Sequence, residues 1–553
     1  MRDLAYLKLL SREYPNIRAA ASDIINLQAI CGLPKGTEYF FSDLHGEHEA
    51  FIYLLRSSSG IIREKIRETF GHIISEEDEV RLANLIYYPE KMINQIKQAN
   101  EYTEDWQKTA VYRLVQICRE VSSKYTRSKV RKKMPKEFSG VIDELLYVDN
   151  TDDNKTEYYS ELINTLIDVR VADSFIVVIC SLIRSLTIDN LHILGDIFDR
   201  GPRPDIILEE LMHFHDVDIQ WGNHDISWMG AATGNRACIC NVLRMALGYN
   251  GFDVLEDGYG INLRPLSMFA ERVYRDDPCT CFLPQILDKN IYDAVDPKLA
   301  AKMHKAIAVL QYKEEGQIIK RHPEYGMEER ILLSAIRYDR GTVTIDGKEY
   351  PMRDMNFPTV DPADPLRLTD EEEELLHTLE LSFRHNARLH EHVRFLYSNG
   401  SMYKCCNSNL LYHGCIPMTE NREFDGLMVG GKMYRGKELM DFIDTQVKNA
   451  YFLPEDAPEK EACRDFMWYL WNGAKSPVFG KDKNRSFEHY FIEDPEVMRE
   501  TMNPYYQLSE EEETCDMILK EFGLPTKGSH IINGHMPVKI KSGETPIRAG
   551  GKL

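Results

Sequence analysis

The chain has 553 residues, 43% of them apolar, and a formal net charge of −21 from 67 basic and 88 acidic residues. That length and apolar content allow a sizeable core, exclude a disordered or fibrous chain, and suggest roughly three to four domain-sized parts. The acidic balance argues against nucleic acid as a partner, no run of about 18 apolar residues offers a membrane span, and a phosphorylated substrate would need positive charge supplied locally, by metal ions or a few arginines.

The N-terminal stretch MRDLAYLKLLSREYPN mixes charge into apolar positions as an amphipathic helix does, and it lacks the features of a signal peptide. NIRAAASDIINLQAICG repeats apolar residues at helical spacing and stops at Gly32. TEYFFSDLHGE then predicts a strand running into a polar loop, with EHEAFIYLLRSSSG as the helix behind it. From about Ile61 to Ser185 the periodicity is helical, as in DWQKTAVYRLVQICREVSSKY and SFIVVICSLIRSL. Between these lies KYTRSKVRKKMPKE, with seven basic residues from Lys124 to Lys136. Such a run is either a solvated face or an anion-attracting patch, the second reading resting on Arg127, Lys129, Arg131, Lys132 and Lys133.

Strand signals return at DNLHILGD and DVDIQWGNHD, with the helix PDIILEELMHF between them, so a parallel β-α-β unit is expected there. ISWMGAATGNRACICNVLRMALGYNG continues as helix. Residues 266–395 are mixed, and PTVDPADPLRLTDEEEE reads as an exposed connector. His213, His215, His385, His390 and His392 have spacings that suit no shared helix face and are expected to be exposed polar residues. NSNLLYHGCIPM and HIINGHMPVKI close the chain's strand signals. Twelve cysteines in a chain this long set no disulfide framework, which fits free thiols in a reducing cytoplasm.

Five apolar runs end in groups that bind cations: Asp43 with His45, Asp196 with Asp199, Asn223 with His224, His413, and His535 behind Gly534. In open α/β sheets, sites form where strands stop. Residues i and i+2 at a strand end point to the same side, so Asp43 and His45 are expected to grip one ion. Carboxylate, imidazole and amide together suit manganese, iron, zinc or magnesium, and the absence of thiolates argues against structural zinc. His224 is free to act as a general acid if Asn223 is the ligand, Asp199 would orient it, and Arg200 can fork onto a phosphate oxygen.

SDLHGE, GDIFDRG and GNHD resemble, in order, the signature blocks of the calcineurin-like metallophosphoesterases. The resemblance implies an α/β fold: an α/β/β/α sandwich core in residues 1–60, 186–265 and 396–553, with a helical insertion at 61–185 and a mixed one at 266–395. It also implies a two-metal centre with Asp43 and His45 on one ion, Asp196 bridging, and Asn223, His413 and His535 on the second. Over its full length, including FFSDLHGEHEAFIYLLRSSSG, WGNHDISWMGAATGN and YDRGTVTIDGKEYPMRDMNFPT, the chain is similar to the bacterial class 3 fructose-1,6-bisphosphatases. That family hydrolyses the 1-phosphate of fructose 1,6-bisphosphate in gluconeogenesis and uses manganese (Mn2+). The expected partner is thus a small sugar bisphosphate, with no nucleic acid or membrane, and assembly into a homo-oligomer stays open. A protein serine/threonine phosphatase or a dinucleotide polyphosphate hydrolase would use the same centre, and a catalytically weak scaffold should have lost a ligand. Class 3 chains continue beyond a point matching VKIKSGETPIRAGGKL into an apolar strand, so a C-terminally truncated form of a longer protein is expected.

Overall fold

The structure, a computed structural model, describes residues 2–33, 36–71, 73–147, 153–285 and 296–553. It is a mixed α/β protein whose chain forms two compact units, residues 1–39 with 52–191, and residues 40–51 with 192–553.

Helices make up nearly all of the first unit. It opens with α1 (Arg2–Glu13) and α2 (Ile17–Cys31). Its core lies along the helices Glu104–Ser122 and Ala172–Thr187, where Val111, Leu114, Val115 and Cys118 recur at helical spacing and meet a cluster holding Phe175, Ile179 and Leu186. Each such apolar side chain contributes about 1.5–3 kcal/mol by its burial. Thr103 starts the first of these helices by accepting the Trp106 N–H, and Arg184 near the end of the second donates to the carbonyls of Ile86 and Tyr87 at 3.0 and 2.9 Å.

The basic run folds as the helix Arg127–Lys133. Lys129 and Lys133 stand 2.7 and 3.6 Å from the buried Asp189 carboxylate, Arg131 forks onto Asp143 at 2.9 and 2.7 Å, and the Arg127 guanidinium lies 4.4 Å over the Tyr147 ring. Partners within the unit thus engage four of the five cations that could have formed an anion-attracting patch.

One sheet has the strand order β1 (Glu38–Phe41), β2 (Asn190–Ile193), β3 (Val217–Gln220), β7 (Gly400–Ser401). The expected helix, Pro204–Met212, connects β2 to β3. The antiparallel trio β4 (Ile336–Arg337), β5 (Thr342–Ile345) and β6 (Lys348–Pro351) forms a separate sheet. Another has the order β12 (His530–Asn533), β9 (Asn409–Tyr412), β8 (Tyr403–Cys406). In it β12 runs parallel to β9, Asn533 opposite Tyr412, so the residues that follow the two strands emerge side by side. Beyond β12, the Ile531 N–H donates to the Lys552 carbonyl at 2.6 Å. The hairpin of β10 (Gly426–Val429) and β11 (Lys432–Arg435) turns on Gly430 and Gly431, at φ 57° and 80°, as a two-residue turn with both φ positive requires.

Two expectations need correcting. The stretch from Pro358 to Glu374 is more than an exposed connector: Lys313, fully buried in the helix Pro297–Arg321, donates to the carbonyls of Thr359 and Arg367 and to the buried Glu372 at 2.7, 3.0 and 2.7 Å. A buried ammonium needs such partners, and the segment wraps it to supply them. His392 is likewise buried, and its Nδ1 pairs with the Tyr259 hydroxyl at 2.9 Å. The twelve cysteines are all unpaired, as expected. No described helix is long and apolar enough to cross a membrane.

Candidate active site

All nine sequence-selected residues fall in the second unit: seven lie in the loops that follow β1, β2, β9 and β12, and Asn223 with His224 opens the helix Asn223–Thr233 just after β3. Six of them have left-handed backbones: Asp43 (φ 54°), His45 (42°), Asp196 (55°), Asp199 (66°), Arg200 (69°) and His535 (67°). Each costs about 1–2 kcal/mol in an L-residue, so the surroundings must hold these turns. They do so through backbone bonds between neighbouring loops: Asp43 N–H to Gly195 O at 3.0 Å, His45 N–H to Asp196 O at 2.8 Å and Gly46 N–H to Ile197 O at 2.8 Å.

Asp225 clamps two of these loops. Its buried carboxylate accepts the N–H groups of Asp196, Ile197 and Gly222 at 2.9, 2.8 and 3.0 Å. Burial, then the neighbouring Asp196 charge, raises its pKa to about 6. Gly222 is required by proximity, since a Cβ there would fall 2.1 Å from Asp196 Oδ1.

Asp196 lies at the centre. Its Oδ1 accepts the His224 N–H at 3.1 Å, and its Oδ2 lies 3.3 Å from His413 Nε2 and 4.0 Å from His45 Nε2. Backbone carbonyls, which only accept, fix the imidazole tautomers. His413 Nδ1 donates to Leu194 O at 2.6 Å, His45 Nδ1 to Phe198 O at 3.1 Å, and His535 Nε2 to Phe479 O at 3.2 Å. The opposite nitrogens therefore present lone pairs inward. His413 Nε2 meets His535 Nδ1 at 3.1 Å, a contact that needs a proton or a cation between the two nitrogens. Asn223 Oδ1 is buried and has no hydrogen-bond partner among the described residues. An orphaned amide oxygen beside converging imidazoles and a carboxylate fits a divalent cation. Two groupings within ligand reach result, His45–Asp196–His224 and Asp196–His413–His535, and both contain Asp196.

Electrostatics agree with this donor set. Burial works against charge on His413, but Asp196 outweighs it and lifts the pKa to about 9. Burial, then the His413 charge, pushes His535 down to about 3, and burial with the His224 charge takes His45 to about 4. Burial opposes the Asp196 anion, yet the charges on His413 and His224 hold its pKa well below the usual carboxylate range. The same field that holds a proton on His413 would favour a divalent cation at this position.

The strand alternation that paired Asp43 with His45 does not apply. Both adopt left-handed rather than extended conformations, so the period-two rule fails. Asp43 Oδ2 instead accepts the His535 N–H at 3.0 Å, on the side of the second grouping.

His224 Nδ1 bonds Asp199 Oδ2 at 2.6 Å, and the other oxygen of Asp199 accepts the Trp228 indole N–H at 2.8 Å. Burial disfavours the imidazolium, but Asp196 and then Asp199 raise its pKa. Arg200 is exposed, and its charge is felt by both His45 and His224. Sequence reasoning missed Asp225, Trp228 and Trp471. Asp225 completes Gly-Asn-His-Asp, so its signal was present. Trp471 packs edge-on against His224 with ring centroids 4.9 Å apart, from a helix 247 positions along the chain (224 to 471), and no local pattern announces it.

Carboxylates, imidazoles and a clamped Asp–His pair at the strand ends of an α/β protein make up the centre of a hydrolase. The chain belongs to the Firmicute fructose-1,6-bisphosphatase family, whose model matches residues 5–553. It is 52% identical over 551 residues to the fructose-1,6-bisphosphatase class 3 of Clostridium tetani, and 51% identical over 553 and 552 residues to those of Alkaliphilus metalliredigens and Bacteroides fragilis. In each case the match covers 100% of this chain and 83% of the relative. No solved structure matches the chain significantly.

Proposed function

We propose that this protein hydrolyses the 1-phosphate of fructose 1,6-bisphosphate, giving fructose 6-phosphate and phosphate for gluconeogenesis in a reducing cytoplasm. The observation that carries the reading is the set of inward lone pairs on His45, His413 and His535 around Asp196, beside the orphaned Asn223 oxygen. Family membership supplies the substrate. Two manganese ions, held by Asp43, His45, Asp196, Asn223, His413 and His535, would supply Lewis-acid charge and a water acidic enough to attack phosphorus. The α/β/β/α sandwich is the architecture we assign to the core.

Arg200 stands at the exposed rim and binds a phosphoryl oxygen through its planar fork. Asp199 accepts the Nδ1 proton of His224, which turns Nε2 toward the substrate. With its pKa raised by Asp196 and Asp199, His224 carries a proton to give the departing sugar alkoxide. Trp471 and Trp228 keep that pair in place and dry. Phosphate release should be measured from fructose 1,6-bisphosphate, a phosphopeptide and a dinucleotide polyphosphate at saturating manganese. The bisphosphate should exceed the others in kcat/KM by at least about a hundredfold, a gap of about 2.7 kcal/mol. Faster turnover of the phosphopeptide or the dinucleotide would assign the same centre to a different substrate class.

A further inference from the structure

The first 33 residues present a surface that catalysis does not use. On α1, Leu4, Leu7 and Leu9 are 59%, 57% and 62% exposed, and on α2, Ile17, Ile24 and Ile25 are 88%, 60% and 69% exposed. No residue of α2 is buried. Helices of 12 and 15 residues are marginal in water alone and are stabilised by packing an apolar face. Their connector is ordered: the Tyr14 hydroxyl donates to Asp23 Oδ2 at 2.5 Å, and Asn16 caps α2 by accepting the Ala19 N–H at 3.0 Å. Both helices are formed, and their apolar side chains find no cover among the described residues.

We propose that a second copy of this chain covers them, α1 and α2 of each copy packing against the other copy across a two-fold axis. Area is the first argument. Ten large apolar side chains are exposed between Leu4 and Leu33, on the order of 1,000 Å2 in all. That exceeds the roughly 300–600 Å2 of the largest patch on a typical monomer and reaches the about 800 Å2 that each partner gives a standard interface. Charge is the second. Residues 2–33 carry four basic groups (Arg2, Lys8, Arg12, Arg18) against three acidic ones (Asp3, Glu13, Asp23), in a chain of net charge −21. Two copies meet here without the repulsion their other surfaces impose. The same balance disfavours a lipid surface, because membrane-binding helices carry a strongly basic polar face. Closure is the third: two apolar helices covered by the same two helices of a second copy are buried in a symmetric assembly that cannot propagate.

Sedimentation velocity of the 553-residue chain over a wide concentration range tests this. The expected species has twice the chain mass, and the double variant Ile24→Glu/Ile25→Glu should sediment at the chain mass with unchanged phosphate release per subunit. Ile24→Leu should remain a dimer. A wild-type chain that is monomeric throughout overturns the proposal, even if the double variant fails to fold. So does a double variant that stays dimeric, or a monomeric wild type that co-sediments with phosphatidylglycerol–phosphatidylcholine vesicles.

Discussion

Asp199 holds His224 through Nδ1 alone, which leaves the two roles of that histidine, acid and ligand, separable by substitution. As the acid, His224→Ala should keep its cations and lose about 10²–10⁴-fold in kcat on the sugar phosphate. The loss should be much smaller on an aryl phosphate, whose leaving group needs no proton. Equal losses on both substrates, with cations lost, would make His224 a ligand, as its place in the His45–Asp196 grouping allows. A second residue-scale prediction concerns stability. Glu314 is buried, its Oε1 has no partner among the described residues, and burial raises its pKa from 4.5 to about 7. The folded state therefore binds more protons than the unfolded one between those values. Stability falls as pH rises through that window and stays lowered above it, by about 3 kcal/mol. Glu314→Gln should melt at a higher temperature than the wild type at pH above about 8, with the advantage fading toward pH 4.5. Thermal unfolding across pH checks the sign, and an advantage that grew toward acid would contradict it.

The elements that carry the site were legible because their signals are local. β1, β2, β3, β9 and β12 each end a short apolar run in glycine or a polar ligand, and the helix Pro204–Met212 starts with proline in its first turn. What escaped notice depends on tertiary contact. β7 is only two residues long and exists because Gly400 and Ser401 pair with β3. The helix Pro297–Arg321 looks amphipathic and polar, yet it buries Lys305 against Asp277 and Asp354, as it does Lys313 against Glu372. Turn geometry was the other blind spot, because a run of apolar residues says where a strand stops but not that left-handed backbones follow. Those turns depend on close approach, and this predicts the effect of a methyl group. Gly222→Ala places a Cβ against Asp196 Oδ1, so it should reduce turnover by at least about 10²-fold while the thermal midpoint shifts only a few degrees. Near-native turnover would show that the Asp196 loop has room the structure does not give it.

At the scale of the molecule, an acidic chain acts on an acidic substrate. With 88 carboxylates against 67 basic groups, the overall field repels a bisphosphate, and the basic helix Arg127–Lys133 is largely occupied by its own neighbours. Attraction must come from the centre itself, where Asp196 and the imidazoles gather positive charge. Removing the cations should therefore abolish both substrate binding and chemistry, not one of them alone. The direct measurement is equilibrium dialysis of chelator-treated protein against manganese, with turnover of fructose 1,6-bisphosphate followed on the same samples. Two ions should bind per chain, turnover should return in step with them, and Asp196→Asn should lose both binding and turnover. Full turnover by the metal-free chain, or a full complement of ions and near-native turnover in Asp196→Asn, would contradict the two-cation centre.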